Sequence, residues 1–217
     1  MPSPHIPMPR SEYHMAQEVA KRDLEGTFDS IRARIEAIIA KGLSAPAIES
    51  PTMQILRGKV RPAEHIFHYG AQDPANAFLD NFYPSSFRDN AGVEYRTAEH
   101  YYQSRKTADP ELRRWIVSAP TAAEAKRRGQ SLKSEQMVPD WETGKVAAMR
   151  EALMLKFMFG VGPNGEDLMR RLMETGQRHL HEDSPGDRIW GIEGHDLLGI
   201  LQEQVRASVR LRCFYRG

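Results

Sequence analysis

Residues 94–106 read EYRTAEHYYQSRK, a short strand-like segment that leads directly into a helix. Thr97 is a favoured helix N-cap residue, so Glu99 is predicted to lie in the first helical turn. The helix dipole and the free backbone donors there favour an ionised carboxylate. Three further side chains follow Glu99 at spacings of three, four and seven residues, namely Tyr102, Gln103 and Lys106. This spacing predicts that all four share one helical face and line one wall of a pocket.

A second segment, SPGDRIWG at residues 184–191, places an acid beside a large aromatic ring. Serine, proline and glycine in succession indicate a turn, and Asp187 follows them with Trp190 close behind. Loops of this type often carry functional residues. Two acids beside aromatic rings are typical of a pocket that cleaves a sugar, because a carboxylate stabilises the positive charge of an oxocarbenium-like transition state.

Each of these features also has a purely structural interpretation. Glu99 and Lys106 are typical of a solvated helix face, and the tyrosines beside them of half-buried packing groups. Asp187 is equally typical of a turn cap, and Trp190 of a core residue. Taken one by one, the residues leave both interpretations open.

Six separated blocks of the sequence resemble, in order and approximate spacing, the NADAR superfamily, also called YbiA-like. The blocks are DNFYPSSF (80–87), EYRTAEHYYQSRK (94–106), AKRRGQ (125–130), PDWETGKVAAMREALMLKF (139–157), METGQRHLHEDSPGDRIWG (173–191) and LLGILQEQVR (197–206). The resemblance covers residues 66–211 and implies a mainly α (α+β) fold, a compact multihelical domain with a few short strands. It also implies an N-glycosidase that acts on a phosphoribosylated intermediate of riboflavin synthesis or on ADP-ribosylated guanine.

The resemblance implies which residues form the site. Functional roles are expected for Glu99, Lys106, Trp141, Asp187 and Trp190, with Asn81 and Phe82 near the pocket. Tyr102, from the helical face described above, and Gly191 complete the predicted substrate-binding set. No cofactor is expected.

The chemistry of N-glycosidic cleavage suggests roles for the three predicted catalytic residues. Asp187 is the candidate for activating the attacking group or stabilising the cation, and Glu99 for contacting ribose hydroxyls or transferring a proton. The residues alone leave open which acid has which role. Lys106 is either a phosphate anchor or, if desolvation lowers its pKa, a nucleophile toward the ring-opened sugar aldehyde.

The sequence departs from the family pattern near its last helix. The segment WGIEGHDLLG at residues 190–199 is shorter than the glycine-rich loop common in the family, and Asp196 occupies the position of an asparagine. We interpret Asp196 as a helix cap. Asp80 stands where a serine is frequent, which makes that corner more acidic. The shortened loop keeps an alternative function open, a module that binds NAD or ADP-ribose without turnover.

Composition limits the remaining function classes. With 217 residues and 40% hydrophobic content, the chain can bury one substantial core. One cysteine, Cys213, suits a reducing compartment, and no apolar run approaches a membrane span, so a cytoplasmic protein without a membrane partner is expected. The histidine spacings indicate no metal site. A formal charge of +1 gives no overall attraction for DNA or RNA, so a nucleic-acid substrate requires a local basic patch. The dense candidate comprises Lys126, Arg127, Arg128 and Lys133.

The chain is predicted to have three parts. Residues 1–14 are expected to be disordered, residues 15–62 to form a helix and linker, and residues 63–213 to form the NADAR-like catalytic domain. Apolar residues recur through the predicted helix at residues 15–41, at Val19, Leu24, Phe28, Ile31, Ile35 and Ile38. This helix either packs on the domain or pairs with another copy, which would give a homodimer.

Within the domain, strands are predicted at residues 65–69 and 93–96. Helices are predicted from Pro110 to about residue 118, from residue 121 to Gly129, and over residues 141–157 and 166–174. The last helix carries an apolar stripe that comprises Leu197, Leu198, Leu201, Val205 and Val209.

Overall fold

The computed structural model describes residues 10–43, 63–70 and 73–216. The described helices are α1 (Arg10–Lys41), α2 (Ala98–Ser104), α3 (Pro110–Val117), α4 (Ala122–Gln130), α5 (Trp141–Phe159), α6 (Leu168–Glu174) and α7 (Leu197–Arg216). The described strands are β1 (His65–His68), β2 (Phe87–Arg88), β3 (Glu94–Tyr95), β4 (Val161–Gly162), β5 (Glu166–Asp167) and β6 (His179–Glu182). The predicted mainly α fold with short strands is confirmed.

The strands pair in twos. β1 and β6 run parallel, with His65 opposite His179 and His68 opposite Glu182. β2 with β3, and β4 with β5, form short antiparallel pairs. The β1–β6 pair joins segments from opposite ends of the domain and lies against α7, so it fixes the position of every side chain on β6.

The helix starts follow the capping residues that the sequence predicts. The side chain of Thr97 accepts a hydrogen bond from the backbone N–H of His100, and Asp109 and Thr121 cap α3 and α4 in the same way. Two helix ends differ from the predictions. The helix α2 ends at Ser104, so Lys106 lies in the following turn, and α4 continues through Gly129 to Gln130.

The main core forms between α5 and α7. Along α5, the apolar positions of its predicted inner face, Val146, Met149, Leu153 and Phe157, are buried. The predicted stripe of α7 is buried too, at Leu197, Leu198, Leu201, Val205 and Val209. This burial confirms both predicted apolar stripes. An amphipathic helix is stabilised most when its apolar face leaves water.

The N-terminal helix α1 packs along α7. Ile35 is buried, and Ile31 and Ile38 pack against the main core. Farther toward the N-terminus Val19 is 54% exposed, so only part of the predicted stripe is covered. The helix begins at Arg10, five residues before its predicted start. Residues 1–9 of the expected disordered segment and residues 44–62 of the expected linker lie outside the described residues, and the homodimer stays a prediction.

Candidate active site

A cavity of about 780 Å³ opens between α2, α4, α5 and the loop that follows β6. All of the predicted site residues except Gly191 line it: Asn81, Phe82, Glu99, Tyr102, Lys106, Trp141, Asp187 and Trp190. Gly191 lies behind the loop wall, where an added Cβ would be 2.8 Å from the carbonyl oxygen of Asp187 and 3.0 Å from that of Ser184. The two sequence segments that predicted a pocket therefore converge on one hollow.

Glu99 is held firmly on the α2 wall. Its side chain is 5% exposed, and its Oε1 accepts a hydrogen bond of 2.7 Å from Nε2 of Gln103. Burial raises the pKa of Glu99, although Gln103, Lys126 and Lys106 act in the opposite direction. The burial of Glu99 therefore acts against the helix start, which favours the ionised carboxylate.

Asp187 stands on the opposite, loop wall. Its Oδ1 accepts hydrogen bonds from the backbone N–H groups of Ile189 at 3.0 Å and Trp190 at 2.8 Å. The structural interpretation of Asp187 as a turn cap is therefore correct, and the same carboxylate also lines the cavity. Asp187 can be both a turn cap and a cavity residue, because both hydrogen bonds to the turn are made by Oδ1. Its Oδ2 takes no part in those two bonds.

Tyr102 connects the two acidic walls. Burial raises the pKa of its hydroxyl, and the charges of Glu99 and Asp187 add to that rise. The ring lies 5.2 Å from that of Trp141 and 5.7 Å, nearly perpendicular, from that of Trp190. These three rings give the cavity an aromatic wall on which a base can stack. Trp141 is also a core residue, so its two proposed roles coexist.

Three lysines line the cavity near the α2 and α5 walls, and we call them the lysine cluster: Lys106, Lys126 and Lys145. Burial lowers the pKa of Lys106; Glu99 counteracts this, and Lys126 and Lys145 add to it. Nζ of Lys106 lies 5.8 Å from the ring centroid of Trp141. Like charges gathered in one pocket are stabilised when an anion such as phosphate lies between them.

The basic patch predicted from the sequence divides in the structure. Lys126 lines the cavity, with Nζ 5.8 Å from the ring centroid of Phe82. Arg127 and Arg128 instead form ion pairs with Glu124 on the outer side of α4. The sequence interpretation missed this division, because the direction of each side chain depends on how α4 packs against α2.

Two further acids line the cavity: Glu182, which sequence reasoning missed, and Asp80, which it noted only as an acid in place of a serine. Glu182, the last residue of β6, is 8% exposed, and burial raises its pKa to about 8, with Asp80 and Asp187 adding to the rise. Asp80 accepts hydrogen bonds from the backbone N–H groups of Gly70 at 2.8 Å and Phe82 at 2.7 Å. The alternation in HLHE was a usable signal, because it places Leu180 and Glu182 on one strand face.

Asp196 does not belong to the cavity wall. Its Oδ2 lies 2.5 Å from Nδ1 of His181, and its Oδ1 accepts a longer bond of 3.3 Å from the backbone N–H of Glu182. The predicted capping role is thus replaced by a link to β6. Among the residues that the structure describes, no group of three or more His, Cys, Asp or Glu side chains is arranged to hold a metal ion. None of the described helices is long and apolar enough to cross a bilayer.

Comparison with known proteins gives consistent matches. The NADAR domain family matches residues 67–210. An N-glycosidase of Nostoc punctiforme is 32% identical over 152 residues, which cover 67% of this chain and 92% of that protein. N-glycosidase YbiA of Escherichia coli is 30% identical over 124 residues, or 55% of this chain and 74% of that protein.

Two further matches are to a longer protein and to a protein of known structure. A riboflavin biosynthesis protein of Vibrio vulnificus is 32% identical over 156 residues, which cover 70% of this chain but only 41% of that longer protein. The NMR structure of E. coli YbiA superimposes with a TM-score of 0.60 at 26% identity, covering 71% of this chain and 89% of YbiA.

Proposed function

Because the chain belongs to the NADAR family, we propose that it is an N-glycosidase, a hydrolase that cleaves the bond between a ribose carbon and a nitrogen atom. The relatives from Nostoc and E. coli that carry the name N-glycosidase support this activity. The observation that carries the proposal is the convergence of Glu99 and Asp187 on one cavity with an aromatic wall. Cleavage of this bond develops positive charge on the ribose, and facing carboxylates stabilise that charge.

The reaction needs one water molecule. The water oxygen bonds to the ribose carbon, the carbon–nitrogen bond breaks, and the nitrogen receives a proton. Asp187 is the proposed base or cation-stabilising group, because Oδ1 is held by the turn and the carboxylate faces the cavity. Glu99 is proposed to contact ribose hydroxyls or to transfer a proton, since burial raises its pKa above that of an exposed glutamate.

The lysine cluster indicates a phosphorylated substrate. Lys106 and Lys126 lie near Glu99, and Lys145 is paired with Glu142 at 2.7 Å, so cationic and anionic groups share this part of the cavity. Such a mixed site suits a ribose that carries phosphate, since phosphate can contact the lysines and the ribose hydroxyls the acid. A cavity of about 780 Å³ lies in the range that small-molecule ligands occupy. We propose an ADP-ribosyl group on guanine, in DNA or RNA, as the first candidate. A phosphoribosylated aminopyrimidine is the second, and the riboflavin biosynthesis name of the Vibrio relative supports it.

Lys106 has two proposed roles, a nucleophile and a phosphate anchor, which a chemical trapping experiment can distinguish. Its lowered pKa increases the fraction of neutral amine, which is the form that attacks a ring-opened sugar aldehyde. Its place in the lysine cluster equally suits a phosphate anchor. Borohydride reduction during turnover followed by mass spectrometry distinguishes them, because only the covalent role leaves a sugar adduct on Lys106.

Incubation with the two candidate substrates tests the proposed function. One reaction contains DNA with ADP-ribosylated guanine, the other the phosphoribosylated aminopyrimidine, and chromatography measures released ADP-ribose or ribose phosphate. We expect release in at least one reaction. Tight binding of ADP-ribose or NAD without release in either would instead favour the non-catalytic binding module. A cytoplasmic location stays a prediction that cell fractionation can test.

A further inference from the structure

Beside the cavity lies a buried pair of titratable side chains: Glu182 on β6, which lines the cavity, and His68 on β1, which lies behind it. The parallel register places them opposite each other, and Nδ1 of His68 lies 3.3 Å from Oε2 of Glu182. His68 is 0% exposed. Within the described part of the chain, neither of these two atoms has a hydrogen-bond partner. Buried polar atoms seldom remain unpaired without a functional reason.

A chain of hydrogen bonds fixes the tautomer of His68. Nε2 of Gln202 donates to the carbonyl oxygen of Leu79 at 2.8 Å, which orients the amide so that its Oε1 accepts. That Oε1 lies 2.9 Å from Nε2 of His68, so Nε2 carries a hydrogen. In the neutral ring Nδ1 then presents a lone pair to Glu182. An ionised Glu182 would set two lone pairs against each other, whereas one proton between the atoms removes the repulsion.

The acidic groups around the pair favour that single proton, because Asp80, Asp187 and Asp196 each raise the pKa of Glu182. Two groups act in the opposite direction: the side chain of Ser184, which forms a hydrogen bond with Glu182, and the buried Lys156, whose Nζ donates to the carbonyl oxygen of Asp80. Burial raises the pKa of Glu182 to about 8 and lowers the pKa of His68 to about 4. Both directions leave His68 neutral and place the proton on Glu182 at neutral pH.

We propose that Glu182 is the general acid of the reaction, which donates a proton to the departing nitrogen, and that His68 is a positioning residue that holds this proton on Glu182. The inference rests on the proposed N-glycosidase function. Glu182 lines the same cavity as Asp187 and Glu99, so its carboxyl group is within the site where the bond breaks. A carboxylic acid that stays protonated at neutral pH is suited to general acid catalysis.

The step balances as follows. The carboxyl hydrogen of Glu182 turns from Nδ1 of His68 toward the cavity, its O–H bond breaks, and the proton goes to the nitrogen, which also takes the electron pair of the broken carbon–nitrogen bond. Water adds its oxygen to the ribose carbon and loses a proton to Asp187. Exchange with solvent then restores the proton on Glu182 and removes the one on Asp187.

This role predicts selectivity for the leaving group. An amine nitrogen departs readily only with a proton, whereas a pyridinium nitrogen departs as a neutral base and needs none. Glu182→Gln keeps the size of the side chain, and its amide N–H can donate to Nδ1 of His68. We therefore expect it to fold, and to lose about 10²- to 10⁴-fold in kcat on the phosphoribosylated aminopyrimidine. On nicotinamide mononucleotide, a pyridinium riboside, we expect kcat to fall by less than about threefold. Its departing nitrogen needs no proton, so the loss of a general acid should not slow this reaction.

The matched control is Glu203→Gln, which makes the same change at another buried acid beside β6 that does not line the cavity. Its carboxylate accepts from the backbone N–H of Leu180 at 2.9 Å, a bond that glutamine can keep. We expect wild-type rates on both substrates. Equal losses of Glu182→Gln on both substrates would indicate a structural role and overturn the inference.

A spectroscopic measurement keeps this inference separate from the proposed function. If the wild-type chain cleaves neither the phosphoribosylated aminopyrimidine nor DNA with ADP-ribosylated guanine, the proposed function fails, and infrared difference spectroscopy still reports on the proton. We expect the carbonyl band of a protonated carboxyl group at neutral pH in the wild type and in Glu203→Gln, and its loss in Glu182→Gln. The absence of that band from the wild type would overturn the inference whatever the activity.

Discussion

The two faces of β6 carry similar side chains but differ in how these are paired. On the face near Arg34 of α1 lies a histidine cluster, formed by His65, His179, His181, Asp196 and Glu203. Within it, Nδ1 of His65 lies 2.8 Å from Nε2 of His181, and Nδ1 of His181 lies 2.5 Å from Oδ2 of Asp196. On the cavity face, Oε2 of Glu182 and Nδ1 of His68 have no hydrogen-bond partner among the described residues.

This difference separates stabilising from functional polar groups. A buried network whose members are all paired gains from the low local dielectric, whereas an unpaired buried atom costs free energy of unfolding. Further unpaired atoms face the same cavity region, at Oδ1 of Asn81 and Oε1 of Gln103. The histidine cluster is therefore expected to contribute stability. On the cavity side, Glu182 and His68 share one proton, and the unpaired atoms of Asn81 and Gln103 are expected to serve contacts with substrate.

The largest expected effect is on the cavity side, from Asp187→Asn. Asparagine keeps an Oδ1 that can accept from the backbone N–H groups of Ile189 and Trp190, so the turn should persist. The lost negative charge should reduce kcat by about 10³-fold, within the range of acid–base and electrostatic contributions. Initial rates and the thermal unfolding midpoint measure the two effects. Wild-type turnover in this variant would remove Asp187 from the mechanism.

The opposite result is expected from Glu203→Ala in the histidine cluster. It leaves the backbone N–H of Leu180 and the ring of His179 without their acceptor, and we expect a loss of about 2 kcal/mol in the free energy of unfolding. Turnover per folded molecule should stay at the wild-type value. Urea denaturation checks the first expectation and active-site-normalised rates the second. A large loss of kcat with an unchanged free energy of unfolding would contradict the assignment of a stabilising role to the histidine cluster.

The pH dependence of stability gives a third test. The folded-state pKa of Glu182, about 8, lies above its ordinary value of 4.5, so its contribution is fully present below pH 4.5 and is lost as pH rises through 8. Between pH 4.5 and about pH 8, the free energy of unfolding of the wild type should therefore fall by up to about 1.4 kcal/mol per pH unit relative to that of Glu182→Gln. Denaturation curves at a series of pH values measure the difference, and parallel curves would contradict it.

The smallest expected effect concerns the support of Glu99. A Cβ at Gly129 would be 2.1 Å from Oε1 of Gln103, the residue that donates to Glu99, so Gly129→Ala must displace that side chain. For Gly129→Ala we expect kcat to fall several-fold and the free energy of unfolding to fall by about 1 kcal/mol. Gly144→Ala is the control, because nothing lies within 4 Å of its added Cβ. That change should stabilise α5 by about 0.5–1 kcal/mol and leave kcat unchanged.

Local features of the fold were predictable because their causes are local. Thr97, Asp109 and Thr121 cap helices in the structure as their residue types predict, and the apolar stripes of α5 and α7 are buried. The role of Gly129 was not predictable. A glycine near a helix end is typical of a terminator, and only the packing of α4 against Gln103 reveals that its missing side chain makes room for a neighbour.

The site was predictable in part. The segments around Glu99 and Asp187 each indicated pocket residues, and the structure brings both to one cavity. For Glu99, the helix dipole can be read from the sequence, but the burial that raises its pKa cannot. Glu182 was missed, since a single glutamate at a strand end looks solvated until the opposite strand and the loop cover it.

The sequence by itself determined most of the helices, the caps at Thr97, Asp109 and Thr121, the family and eight of the residues that line the cavity, because these depend on residue type and short-range spacing. The tertiary structure alone decided which ionisable groups lose their water and which partners they meet. His68 and Glu182 lie on strands from opposite ends of the domain, and their proton is set by a parallel pairing and a glutamine on α7. Desolvation and long-range pairing depend on the whole fold, so no local pattern specifies them.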